Sequence, residues 1–206
     1  PDMLGPQRCG PAQNDEQRAE DGAGGTMERL TEQDERAVEA QLQRPPRGLL
    51  GVARRCPCGL PAAVATAPRL PDGTPFPTMY YLTCRRLNAA LSTLESQGFM
   101  REQAAVLEAD QDAAADYRAA HARYIEERAA VEDVPVIAGV SAGGMPDRVK
   151  CLHALVAQSL ASGPGVNPVG DAALDDIGPW WEPGPCVETA PHGPDESRRS
   201  HAGRSD

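Results

Sequence analysis

Two short runs of strand-forming residues, Ala62–Ala67 and Thr78–Thr83, flank Pro68-Arg69-Leu70-Pro71-Asp72-Gly73-Thr74-Pro75-Phe76-Pro77. Proline has no amide proton to give to a ladder, so the intervening stretch cannot join a sheet, and Asp72-Gly73 supplies a turn. Both constraints are met by an antiparallel hairpin. Centred on Asp72-Gly73, it sets residue 62 opposite residue 84, within about two positions.

That register has a chemical consequence. Cys56 and Cys58 lead into the first strand and Cys84 ends the second. Residues two apart share a face of an extended backbone, so three thiols are expected at the open end, with Cys58 meeting Cys84. Zinc takes four soft or borderline ligands, and an iron–sulfur cluster takes thiolates. Zinc is expected ahead of iron–sulfur, with Cys56, Cys58 and Cys84 as ligands and Cys151 as the fourth. His153 and Cys186 are the alternatives for that last place. The competing account is a set of small buried or reactive thiols, because the spacing is not the paired C-x₂-C of a strong zinc motif.

The remaining elements follow from period and punctuation. Leu87, Ala90, Leu91 and Leu94 repeat at helical spacing, predicting a helix over 85–97 with Gly98 as its stop. Cys84 then sits at a helix N-terminus, where the dipole lowers a thiol pKa. Thr31 caps a short helix over 31–43, with Asp34 three residues on. Two more helices are expected over 101–108 and 110–130. The second carries Tyr117, Ala120, His121, Tyr124 and Arg128 on one face. Gly48–Ala53 and Val134–Val140 read as further strands.

Ser141-Ala142-Gly143-Gly144-Met145-Pro146 is expected to turn into a helix over 147–161, with Pro146 near its first position. On such a helix Cys151 and His153 lie about 200° apart, so one of them, and not both, can reach a given ion. Asn167-Pro168 forms a turn, 172–177 a short helix, and Trp180-Trp181 an anchor for the segment before Cys186.

The expected fold is α+β: one domain over 47–187, a small antiparallel sheet covered by four or five helices. A short helix and proline linker precede it over 27–46, and Met27 is expected to be the natural start. Residues 1–26 and 188–206 are polar, lack an apolar period and read as disordered tails, with Cys9 a bystander in the first. Gly and Pro number 40 together and aromatics make up 4%, which argues against a packed body of all 206 residues.

Charge and hydropathy exclude some classes. A net charge of -10 repels polyanions, so general nucleic-acid binding is not expected. No apolar run approaches the roughly 18–20 residues of a membrane span, and no signal peptide is visible. A cytoplasmic location is expected, where thiols stay reduced.

Two other constellations compete with the thiols. Gly143 and Gly144 open the expected helix, with Arg148 and Lys150 in its first turn. Free amides, the helix dipole and two cations can hold a small phosphorylated or carboxylated molecule. A tight turn with surface charges explains the same residues. His121, between Tyr117 and Tyr124, is either a general base or a half-buried structural histidine. If the chain is an enzyme, its candidate catalytic residues are Cys84, His121 and His153.

A family resemblance rests on specific residues. Arg55-Cys56-Pro57-Cys58-Gly59, Ala67-Pro68-Arg69-Leu70, Asp72-Gly73-Thr74-Pro75-Phe76-Pro77-Thr78 and Tyr80-Tyr81-Leu82-Thr83-Cys84 carry its first part. Ser141 through His153, Gly165-Val166-Asn167-Pro168, and Trp180-Trp181 to Cys186 carry the rest. Over about Leu42 to Val187 the chain resembles the mainly actinobacterial family called domain of unknown function 501. The resemblance implies no activity. Its gene neighbourhoods, with enolase, a septum-formation protein and an exopolyphosphatase, imply at most a non-catalytic interaction protein linked to cell division. Two departures stand out: many members have Pro where Arg85 stands and His where Gln158 stands. If that histidine were a ligand beside Cys151, this chain lacks it.

Overall fold

Small side chains let one strand be covered on both faces. In the computed structural model, which describes residues 27–188, every residue of Pro61–Thr66 (β2) is buried. It is the centre of a three-stranded antiparallel sheet, between Leu49–Arg55 (β1) and Tyr80–Leu82 (β3). Ala63 pairs with Leu82 and Val64 with Tyr81, while the Thr83 amide donates to the Ala62 carbonyl at 2.9 Å. Residue 62 therefore faces 83, one place from the expected register. Thr66 Oγ1 donates to the Thr78 carbonyl (2.6 Å) and closes the base of the proline loop. Cys9 and the expected tails lie outside the described residues, apart from Glu188.

Helix α1 (Glu32–Leu42) starts with a capping box: Thr31 and Asp34 exchange side-chain and backbone hydrogen bonds. It joins the same body as the sheet, ahead of the expected core start at Arg47. Gln41 Nε2 donates to the Pro61 carbonyl (2.8 Å), and Asp34 pairs with Arg55 of β1 (2.6 Å). The Arg55 guanidinium holds the buried Asp34 carboxyl down to about 2, from 3.8. A depressed carboxyl stabilises the fold above its unfolded pKa, and that contribution fades as pH falls from about 4 through 2. Asp34→Asn is accordingly expected to cost about 1–2 kcal/mol at neutral pH, after discounting for the partly exposed Arg55, and little at pH 2. Urea melts of both proteins at pH 7 and pH 2 check this.

The chain then adds α2 (Arg85–Gln97), α3 (Phe99–Ala109), α4 (Gln111–Val131), α5 (Leu152–Ser162) and α6 (Pro168–Ile177). Gly98, at φ 97°, ends α2 as its left-handed stop and opens α3. Helix α5 is buried nearly all round and lies between the sheet and α6. At Gly170 the two helices are so close that a Cβ would fall 2.4 Å from Ser159 Oγ and 2.6 Å from the Leu155 carbonyl oxygen. Gln158, fully buried in α5, ties three helices together. It donates to the Ala120 carbonyl (2.7 Å) and accepts from Asn167 Nδ2 (2.8 Å), and Asn167 caps α6 through the Gly170 amide. Gln158 thus spends its amide on helix packing.

Two expected elements are corrected. Val134–Val140 is not a strand but a short 3-10 helix, Pro135–Ile137, followed by a turn. Arg128 of α4 explains the difference. Its guanidinium donates to the carbonyls of Ile137 (2.5 Å), Pro77 (2.9 Å) and Val140, so those oxygens fold around one cation instead of lining a ladder. The expected helix over 147–161 begins only at Leu152. Before it, the Arg148 amide donates to Gly144 and the Lys150 amide to Gly143, closing a loop where a helical turn was expected. Residues 47–187 carry five α-helices and the sheet, an α+β fold, and α1 precedes them and packs on the sheet.

Candidate metal centre

Four thiols gather where the hairpin opens against the start of α2. They follow one another as electrostatic neighbours in the order Cys58, Cys56, Cys84, Cys186, and no three of their sulfurs lie within 4.8 Å of one another. Cys56 and Cys84 are buried, while Cys58 and Cys186 at the two ends are partly exposed. All are free thiols. Cys58 meets Cys84 through Cys56 and not directly, because the tight turn over 56–59 lifts it out of the strand. In that turn the Gly59 amide donates to the Cys56 carbonyl (2.8 Å), and Arg55 holds the Gly59 carbonyl (3.2 Å).

Nearby backbone amides favour the charged form of each sulfur: that of Cys58 for Cys56, of Leu60 for Cys58, of Arg86 and Leu87 for Cys84, and of Arg85 for Cys186. Three of these belong to the first turn of α2, which Cys84 precedes as N-cap without a side-chain hydrogen bond. The protons divide unevenly. Cys84, with Cys186 and Cys56 as its neighbours, is held down to about 3, and Cys58, beside Cys56, to about 6. Cys56 is pushed up by Cys58 and Cys84, and Cys186 by Cys84. Adjacent sulfurs cannot all ionise together without a cation between them.

Cys186 arrives by a clamp. Arg86, in the first turn of α2, donates from Nε to the Gly184 carbonyl (3.0 Å) and from its terminal nitrogen to Pro185 (3.2 Å) and Pro183 (3.4 Å). Trp180 and Trp181, edge to face at 4.6 Å, anchor the segment against the core. Gln41 reaches the same place from α1, with Nε2 3.3 Å from Cys186 Sγ. Its Oε1 is buried and unpartnered.

Cys151, expected as the fourth ligand, belongs to a different neighbourhood. It is the extended N-cap of α5, not a residue within the helix, so the expected 200° separation from His153 does not apply. Glu95 of α2, Cys151 and His153 have ligand atoms all within 4.8 Å of one another, the one such group among the described residues. Glu95 Oε1 accepts from the Leu152 amide (2.8 Å) and sits 3.3 Å from His153 Nδ1. His153 Nε2 is 3.3 Å from the Asn88 carbonyl oxygen. Glu95 carried no signal in the sequence, since only the tertiary packing of α2 against α5 brings it there.

The other candidates are separate. Gly143 and Gly144 both have positive φ, and their carbonyls accept from Lys150 and Arg148, but no helix starts there. The expected helix dipole behind an anion is thus missing from that loop. His121 is half-buried with Nδ1 2.7 Å from Ser141 Oγ, and burial lowers its pKa. Among the described residues no helix is long and apolar enough to cross a membrane.

The family described as "Protein of unknown function (DUF501)" matches residues 52–175, and the chain belongs to it. The matched stretch contains Cys56, Cys58, Cys84, Cys151 and His153, and ends before Cys186. No curated protein and no solved structure matches the chain.

Proposed function

We propose that this member of the DUF501 family is a metal-binding protein that holds one zinc ion through Cys56, Cys58, Cys84 and Cys186. The observation that carries the reading is the convergence of four free thiols on the start of α2, where the Arg86 clamp brings in Cys186 and Gln41 Nε2 lies 3.3 Å from its sulfur. Clamp and amide act as the outer shell that orients metal ligands. The donor set fits soft or borderline metals, and an iron–sulfur cluster is the less favoured occupant. Drawing the four neighbours onto a single ion asks Cys58 and Cys186, the partly exposed ends, to rotate inward. Four protein ligands close a tetrahedron, so the zinc would be structural, pinning the C-terminal segment and the 56–59 turn to α2.

The Glu95, Cys151 and His153 group is the weaker metal candidate. Both nitrogens of His153 face acceptors, and Glu95 Oε1 is already engaged by an amide. Elemental analysis of the full chain, purified without oxygen, tests the proposal. About one zinc per chain is expected, kept in Cys151→Ser and lost in Cys186→Ser. Metal-free protein of unchanged stability would sink it, as would Cys186→Ser protein that keeps its metal.

A further inference from the structure

We propose that Cys151, His153 and Glu95 form a second, independent centre in which Cys151 is a nucleophilic thiolate that reduces a small hydroperoxide. Its geometry sets it apart from the four-sulfur site. Cys151 is the N-cap of α5, in extended conformation and without a side-chain cap hydrogen bond of its own. A ring nitrogen of His153 and a carboxylate oxygen of Glu95 lie within 4.8 Å of that sulfur. The ring is fixed from two further sides, by Glu95 Oε1 on Nδ1 and the Asn88 carbonyl on Nε2, both at 3.3 Å. Two acceptors on the two nitrogens favour an imidazolium, which has a proton on each. An imidazolium beside a thiol on a helix N-terminus stabilises the thiolate. The shifts agree: Cys151 is lowered and His153 raised, each chiefly by the other.

Thiolate and imidazolium together supply what peroxide reduction needs. The sulfur attacks the terminal peroxide oxygen, an S–O bond forms and the O–O bond breaks. The leaving oxygen departs with the electron pair and takes a proton from His153, giving water or an alcohol. Sulfur is oxidised by two electrons to a sulfenic acid, and the peroxide is reduced by two. Acyl transfer fits less well, because it needs donors for a developing oxyanion. The Leu152 amide, first on α5, is already committed to Glu95 at 2.8 Å. Glu95 acts through His153 and is a positioning residue. Cys151 is only partly buried, which leaves it open to a small reagent.

The test follows modification of Cys151 by peptide mass spectrometry on the full metal-loaded chain, first with iodoacetamide and then with hydrogen peroxide and a sulfenic-acid trap. The charged groups facing the thiol are His153 on its own helix and Glu95 on α2, with Lys150 next to it in the chain. Alkylation at pH 7 is expected to run about tenfold faster than for an ordinary exposed thiol, and to stay nearly flat from pH 8 down to about 6. His153→Gln should remove the advantage, and Glu95→Gln should shift the profile to higher pH while leaving the rate at pH 9 unchanged. Peroxide should yield trapped sulfenic acid at Cys151. If His153→Gln does not fold, the wild-type profile decides alone. An ordinary thiol profile with a midpoint near 8.5 would overturn the proposal. So would an increase in Cys151 labelling on adding a chelator, which would mean that a metal holds the sulfur.

Discussion

Arg128→Met is expected to lower the melting temperature by roughly 10 °C, the largest effect of any substitution away from the thiols. Arg128 is 2% exposed, and its hydrogen bonds end on the carbonyls of Pro77, Ile137 and Val140. These belong to the proline loop and to the turn after α4, two segments with no ladder of their own. The cation also lies over the Tyr124 ring at 5.9 Å, and Tyr124 in turn accepts the Met79 amide at 2.6 Å. Removing the guanidinium takes a charged donor from three carbonyls, of which Pro77 keeps the Tyr124 hydroxyl (3.4 Å) and Ile137 the Val140 amide (2.9 Å), and losing a buried charged partner of this kind typically costs about 3–5 kcal/mol. Methionine keeps the apolar stem, so what is lost is the hydrogen bonding and the cation. Arg128→Lys should recover only a part, because an ammonium cannot span the fork that a guanidinium makes. A pair of thermal melts checks the order Arg, Lys, Met. Equal melting temperatures for wild type and Arg128→Met would show that the loops hold themselves.

What the sequence made legible was local. The hairpin followed from prolines that cannot pair and a turn dipeptide, and its register was one residue off. The helices over 32–42 and 85–97 were legible from a capping box and a glycine stop, both decided within a few residues. The misreadings came where a distant group took over the backbone. Val134–Val140 has the composition of a strand, but Arg128 claims two of its carbonyls. Pro146 suggested a helix start, yet the Gly143 and Gly144 carbonyls capture the amides that would have begun one. That late start also turned Cys151 away from the four sulfurs and towards His153. Glu95 and Gln41 reach the two sites only because α2 and α1 pack where they do, and no spacing rule announces this. Cys186 was one of three residues open for the fourth place. The Arg86 clamp, between positions far apart in the chain, is what sets it against Cys84.

Stripping the metal should produce the second large effect, and its pattern distinguishes a structural ion from an incidental one. A chelator is expected to lower the melting temperature of wild-type protein by roughly 10 °C or more, since a zinc bound to the folded chain alone adds its binding free energy to folding. Without the proposed zinc the site is poor, because Cys56 and Cys84 are buried thiols with Cys58 and Cys186 as neighbours. Without the ion, protons must be shared out among those sulfurs, and the segment held by Cys186 keeps only the Arg86 and tryptophan contacts. Cys84→Ser should reproduce the stripped melting temperature, and chelator should have no further effect on it. Cys151→Ser should melt like wild type before and after chelation. Acid should act as a chelator does: ligand thiolates must be protonated for zinc to leave, so the metal-linked part of stability is present at neutral pH and lost as pH falls. Melts of the three proteins with and without chelator measure all of this. A full chelator response in Cys84→Ser would move the metal to another site. No response in wild type carrying one zinc would leave the ion bound but without a structural role.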